Sequence, residues 1–213
     1  MSFPFVRRPR SCTLSGAVGG KYGEVGNRLS AQGHPLGSRP PIWRRVLVPS
    51  DLTLLKLHDV LQVLMGWTDS HLHQFHAAGA VYGTPDPEFG LERKSERKAR
   101  LNDVLGHPKD RMVYEYDFGD SWEHEVLLEK MLPREPKVRY PVVTGGKRAC
   151  PPEDVGGIWG YADFLEAVSN PQHPDHEDMV EWSGEGFDPE AFDVGAANRA
   201  FHGGWASPPK RDA

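Results

Sequence analysis

The stretch Tyr116-Asp117-Phe118-Gly119-Asp120-Ser121-Trp122-Glu123-His124 gathers carboxylates, an imidazole and a large aromatic ring within nine positions. Carboxylate oxygens and neutral imidazole nitrogens are the donors that Zn²⁺, Mn²⁺ or Fe²⁺ accept, so Asp117, Asp120 and His124 are candidate metal ligands. Two alternatives need no metal: Asp117 and Asp120 can bond turn amides beside Gly119, and Trp122 and His124 can stack in a core. On a strand, His71 and His73 share a face while His76 points away. Two such imidazoles with one carboxylate form a three-ligand centre with an open position, the arrangement that catalytic metals use. A polar edge strand facing solvent accounts for the same pattern.

Cys150-Pro151-Pro152-Glu153-Asp154-Val155-Gly156-Gly157 is a second candidate. Its prolines fix the backbone before two acids, and its glycines permit positive φ or close backbone approach after them. Glu153, Asp154, Gly156 and Gly157 thus form a binding loop, or Asp154 caps a turn while Glu153 pairs with Arg148 or Lys147. Cys150 lacks a Cys-x-x-Cys or papain-like setting and reads as structural. His173-Pro174-Asp175-His176-Glu177-Asp178 suits an acidic helix start. No P-loop, dinucleotide fingerprint, Gly-x-Ser-x-Gly elbow or His-Glu-x-x-His helix occurs, and the isolated Asp-Phe-Gly lacks the other kinase motifs.

These residues need elements to hold them. Ile42 to Val48 alternate as on a strand, and Leu54, Leu57, Val60, Leu61 and Leu64 recur at helical spacing, with Thr53 as N-cap and Gly66 as terminator. A strand over 71–77, a charged surface run over 92–98, a short helix near 99–105 and a hairpin of 112–118 with 122–130 follow. A strand over 139–143 and helices at 161–168, 174–182 and 191–201 complete the chain. This pattern is α+β: a largely antiparallel sheet with flanking helices, in a single domain over 39–203. Residues 1–38 read as a flexible basic leader and 204–213 as a flexible tail.

The chain has 213 residues, 23 glycines, 19 prolines and two cysteines. That composition excludes a disulfide framework and fits a reducing cytoplasm. No apolar run approaches the ~20 residues needed to cross a bilayer, so a membrane partner is not expected. Charge is uneven: +7 over residues 1–50, −2 over 51–150 and −10 over 151–213. The basic leader, with Arg44, Arg45 and the cations of 93–100, is a candidate nucleic-acid surface, or it pairs with the acidic third of its own chain.

Pro41-Ile42-Trp43-Arg44-Arg45, Leu57-His58, Gly66-Trp67, His71-Leu72-His73-x-Phe75, the 116–124 stretch and the 150–157 stretch together resemble the plasmid pRiA4b ORF-3-like family, in order from about residue 39 to 201. The resemblance implies an α+β fold with a largely antiparallel sheet, and a mobile-element association through the insertion-element passenger or TnpR-like label. It brings no mechanism. Two departures stand out: residues 29–37 make a poor strand where relatives have one, and Val155 stands where many relatives have a second cysteine. A serine recombinase needs an activated serine amid arginines and a helix-turn-helix reader, and neither is found.

Three functions follow as expectations. The first is a binding or interaction module using hairpin 117–124, with Asp117, Asp120, Trp122 and His124, and loop 151–157. The second is a metal-dependent hydrolase or nuclease with His71, His73, Asp117, Asp120 and His124 converging. The third is a nucleic-acid-binding protein. The first two require the hairpin tip and the proline loop to be neighbours in space.

Overall fold

The computed structural model describes residues 27–35, 37–85, 92–184 and 186–203. It is α+β, with one eight-stranded sheet and five helices in a single domain. In chain order the strands are β1 (Asn27–Pro35), β2 (Trp43–Pro49), β3 (His73–Ala77), β4 (Ala80–Gly83), β5 (Lys94–Ser95), β6 (Arg111–Tyr116), β7 (Trp122–Pro133) and β8 (Val142–Lys147). They lie in the order β5-β4-β3-β6-β7-β1-β2-β8, antiparallel except for the β4–β5 pair. The helices are α1 (Leu54–Met65), α2 (Leu101–Val104), α3 (Gly157–Ser169), α4 (His176–Ser183) and α5 (Val194–His202).

Strand β1 corrects the reading of residues 27–35 as part of a structureless leader. It runs between β2 and β7 and is antiparallel to both, with a register shift against β7 between Ser30 and Ala31. A strand paired on both edges has its backbone polar groups satisfied by its neighbours, and this outweighs a weak intrinsic preference. Residues 1–26 and 204–213, which cover the rest of the expected leader and the tail, lie outside the described residues.

Alternation sets the sheet's inner face. Val46 and Val48 of β2, Met112, Tyr114 and Tyr116 of β6, and Trp122, His124, Val126 and Leu128 of β7 are all buried. The apolar face of α1, from Leu54 to Met65, enters the same core. Thr53 caps α1 by accepting from the Lys56 amide at 3.3 Å, and Gly66, at φ 73°, ends it. The charged run of 92–98 is only partly a solvated surface, because Glu96 is 1% exposed.

Arg44 is buried on β2, and among the described residues its guanidinium meets carbonyls and a thiol and no carboxylate. Its Nε donates to Leu64 O at 3.1 Å, and its Nη1 donates to Trp43 O and Lys147 O, both at 2.9 Å. Its Nη2 lies 3.2 Å from Cys150 Sγ, and the Phe192 ring covers the guanidinium at 3.8 Å. Leu64 O belongs to the last turn of α1, where carbonyl dipoles favour a cation. Burial pushes the Cys150 thiol up to about 11, against the pull of Arg44, so the sulfur stays protonated. The nucleic-acid expectation therefore loses Arg44 to the interior, and Arg45 is held by both oxygens of Glu129, at 2.6 and 2.7 Å. What Arg44 does is tie the end of α1 to the strand end that leads into the proline loop. Arg44→Met keeps much of the volume but strips a charged donor from three carbonyls, so urea unfolding is expected to show a loss of about 3 kcal/mol.

Candidate metal centre

Three segments meet at the turn end of the β6–β7 hairpin: 67–73 after α1, the turn 117–121, and the loop 151–157. The Tyr116 hydroxyl joins them. It accepts from the amides of Ser70 at 2.9 Å and His71 at 3.3 Å, and donates to Glu153 Oε1 at 2.6 Å. Burial, followed by the Glu153 carboxylate, pushes the Tyr116 pKa well up, so the proton remains on the phenol. The other oxygen of Glu153 accepts from Thr68 N at 3.0 Å and Thr68 Oγ1 at 2.6 Å. Glu153 pairs with these groups and not with Arg148, whose Nε instead meets Glu190 at 2.7 Å. Trp67 donates its indole N–H to Pro151 O at 2.9 Å and stacks on Tyr116 with centroids 4.9 Å apart.

The hairpin tip meets the loop directly. Asp120 Oδ2 accepts from Gly156 N at 3.0 Å. At Gly157, with φ +67°, a Cβ would lie 2.5 Å from Asp120 O, so only glycine permits both the conformation and the approach.

In this setting His71, Asp117 and Asp154 each offer one ligand atom within 4.8 Å of the others. Register explains the first pair: His73 stands opposite Tyr116, and the Asp117 amide donates to Leu72 O at 2.9 Å, so His71 falls beside Asp117. The Asp117 carboxylate divides its work. Its Oδ1 accepts from Gly119 N at 2.9 Å, while its Oδ2 lies 3.7 Å from His71 Nε2. Asp154 Oδ1 comes within 2.8 Å of the same nitrogen. Yet His71 Nε2 is buried and makes no aligned hydrogen bond, although two carboxylates crowd it. Asp117 at φ 56° and Asp154 at φ 63° both adopt the left-handed backbone that aspartate tolerates better than most residues.

His73 does not join His71. Strand β3 begins only at His73, and the bend before it sends His71 elsewhere, so the two do not share a strand face. Instead the His73 ring stacks on His58, with centroids 3.6 Å apart and planes 4° apart. His58, Asp69 and His73 also have ligand atoms within 4.8 Å of one another. Their nitrogens, however, already have partners. Gln62 Nε2 donates to Tyr114 OH at 3.0 Å, and the buried phenol's proton then goes to His58 Nδ1 at 2.7 Å. That leaves His58 Nε2–H to donate to Asp69 Oδ1 at 3.0 Å, and the Asp69 amide closes the ring by donating to Gln62 Oε1 at 2.9 Å. Burial pulls the His58 pKa down, against Asp69, which agrees with a neutral ring. His73 Nε2 meets Glu96 Oε2 at 2.8 Å.

The remaining expected residues serve the frame. Trp122 and His124 are buried, His124 Nδ1 lies 3.0 Å from Trp122 O, and the His124 ring stands edge-on to Trp67 at 5.3 Å. His124 and Asp120 therefore lie apart from the three-ligand group, and Asp120 is bonded to the loop. Thr68, Asp69 and Glu96 escaped the sequence reading, as did the role of the Tyr116 hydroxyl: a tyrosine alternating with Tyr114 in a strand reads as core, and Glu96 sits inside a charged run.

Gly157→Ala is expected to lower stability by about 2 kcal/mol in denaturant, from backbone strain and the Asp120 clash, and to separate loop from hairpin. Burial raises the Glu96 pKa, but His73 and the other partners reverse this and leave it below the ordinary glutamate value. A depressed carboxylate stabilises the fold above its unfolded pKa, and that contribution is lost as pH falls through its folded pKa. In unfolding titrations, the stability deficit of Glu96→Gln should therefore be full near neutrality and shrink as the medium becomes acidic.

Residues 36–196 match the family described as plasmid pRiA4b ORF-3-like protein. An uncharacterized protein, y4hQ of Sinorhizobium fredii (strain NBRC 101917 / NGR234), is 40% identical over 160 residues, covering 75% of this chain and 80% of that one. The crystal structure of MM3350 from Methanosarcina mazei Go1, titled a protein of unknown function, superposes with a TM-score of 0.73 at 41% identity, covering 80% of this chain and 96% of that one. The chain belongs to the plasmid pRiA4b ORF-3-like family.

Proposed function

We propose that this protein is a ligand-binding domain in which hairpin 117–124 and loop 151–157 form one platform, and in which His71, Asp117 and Asp154 hold a divalent cation. The observation that carries the reading is the His71 Nε2 atom, buried between two carboxylates without an aligned hydrogen bond. A nitrogen so placed gains most from a metal ion in its ring plane, and one imidazole with two carboxylates suits Zn²⁺ or Mn²⁺. The His58–His73 stack is the weaker candidate, because a metal there must displace protons already donated.

Hydrolase or nuclease chemistry is a second reading. Three protein ligands, with Asp154 66% exposed on its side chain, leave coordination positions for water, whose deprotonation a bound metal would promote. The mobile-element association rests on the family label; resolvase action lacks its serine and arginines. A cytoplasmic site of action is supported by Cys150, a half-buried free thiol. Among the described residues no helix is long and apolar enough to cross a membrane.

Calorimetric titration of chelator-stripped protein with Zn²⁺ and with Mn²⁺ tests the centre. One equivalent is expected, weakened by more than about 100-fold in His71→Ala and Asp117→Asn, since even outer-shell losses cost about 10- to 100-fold. His73→Ala should retain the affinity. Binding that survives His71→Ala but is lost with His73→Ala would move the centre to the stacked pair and overturn the assignment.

A further inference from the structure

Beyond the three-ligand group, on the far side of Asp154, a cleft of about 450 Å³ opens between α3 and α4. Its volume is within the range of small-molecule sites. Apolar surface comes from Val155, Met179 and Trp182, with buried Phe164 behind them, and carboxylates come from Asp154, Asp163 and Asp175. The indole of Trp182 is 48% exposed, and Phe164 fixes it edge-on at 5.9 Å. Phe164 is itself braced edge-on by Phe187 at 5.1 Å. A half-exposed indole braced in the wall of a cleft is available to whatever enters.

Sequence decides the sign of that occupant. From residue 149 to residue 198 there are twelve Asp or Glu and no Lys or Arg. The walls of the cleft therefore carry negative charge that no lysine or arginine of their own segment offsets, with the His173 imidazole 3.9 Å from Asp175. Two acids of that stretch, Glu190 and Asp193, are paired with Arg148 and Arg199, but neither lines the cleft. An anionic ligand would be repelled, and a neutral one would leave the field unused.

We infer that this cleft binds an organic ammonium ion with an aryl or alkyl body. The body lies on Val155 and Met179, and the cation lies against Trp182 within reach of Asp163 and Asp175. Cation–π attraction and carboxylate pairing act on the same charged group, while the Met179 sulfur and the Val155 methyls take the apolar part. The inference is independent of the metal proposal, although Asp154 borders both.

The probe is 2-phenylethylammonium, compared with the isosteric neutral 2-phenylethanol and the anion phenylacetate. It is titrated calorimetrically into the full chain, with the Trp182 indole N–H followed by NMR and assigned through Trp182→Phe. The ammonium should bind at least about tenfold more tightly than the alcohol, with phenylacetate weaker still. Its affinity should fall with added salt. Trp182→Ala should weaken it about tenfold and Asp163→Asn several-fold, both changes lying on exposed side chains that leave the core intact. Trp182→Ala, which touches none of His71, Asp117 and Asp154, should leave Zn²⁺ affinity unchanged, so loss of metal affinity and loss of amine affinity are read separately. Equal affinity for alcohol and ammonium, or amine binding indifferent to Trp182→Ala, would overturn the inference.

Discussion

One phenolic oxygen carries the architecture of the candidate centre. Tyr116 stands at the end of β6, and its hydroxyl uses its full capacity, accepting two amides from the 67–73 segment and donating one proton to Glu153. Because burial and Glu153 hold that proton in place, the direction of every bond at the oxygen is fixed. The segment bearing His71 and the loop bearing Asp154 are thereby set relative to the strand that ends at Asp117. Three aspartates at left-handed φ, Asp69, Asp117 and Asp154, occur around this junction. Clustered backbone strain of this kind persists where surrounding contacts over-determine it, as at sites that hold ligands.

The two imidazole groups show how wiring, and not residue type, separates a frame from a site. His58 lies in a closed ring of hydrogen bonds through Gln62, Tyr114 and Asp69, and both of its nitrogens are committed. That ring fixes Asp69 three residues past the helix-ending Gly66, and so sets the path of the chain toward His71. His73 stacks on it and is anchored by buried Glu96. The first group therefore positions the second, and His71 Nε2 is left between carboxylates without an aligned bond.

Much of this frame was legible in the sequence because local rules governed it. Thr53 and Gly66 bound α1 as capping chemistry requires, and the 112–130 hairpin formed around Gly119-Asp120-Ser121. The docking of Gly157 against Asp120 gives physical content to the expectation that the hairpin tip and the proline loop adjoin. What escaped was set by long-range pairing. Strand β1 is imposed by neighbours on both edges, so a weak local signal hid it. The separation of His71 from His73 turns on where β3 begins, a boundary that period-two alternation cannot locate. Arg44 read as a surface cation because no local pattern reveals a cage built from Leu64, Lys147 and Cys150.

Charge gives the site a direction. Asp117 and Asp154 together match the charge of one divalent cation, so a metal beside His71 would leave that point nearly neutral. Asp163 and Asp175 would remain in the adjoining cleft, on a segment without a lysine or arginine. A metal and an organic cation can therefore occupy neighbouring positions without competing for the same carboxylates, apart from Asp154 at their border. That residue sits between Glu153, which is locked to Tyr116 and Thr68, and Gly156, which is bonded to Asp120. Any ligand that drew the Asp154 carboxylate away from His71 would have to do so by rotating its side chain, because the backbone on either side is held.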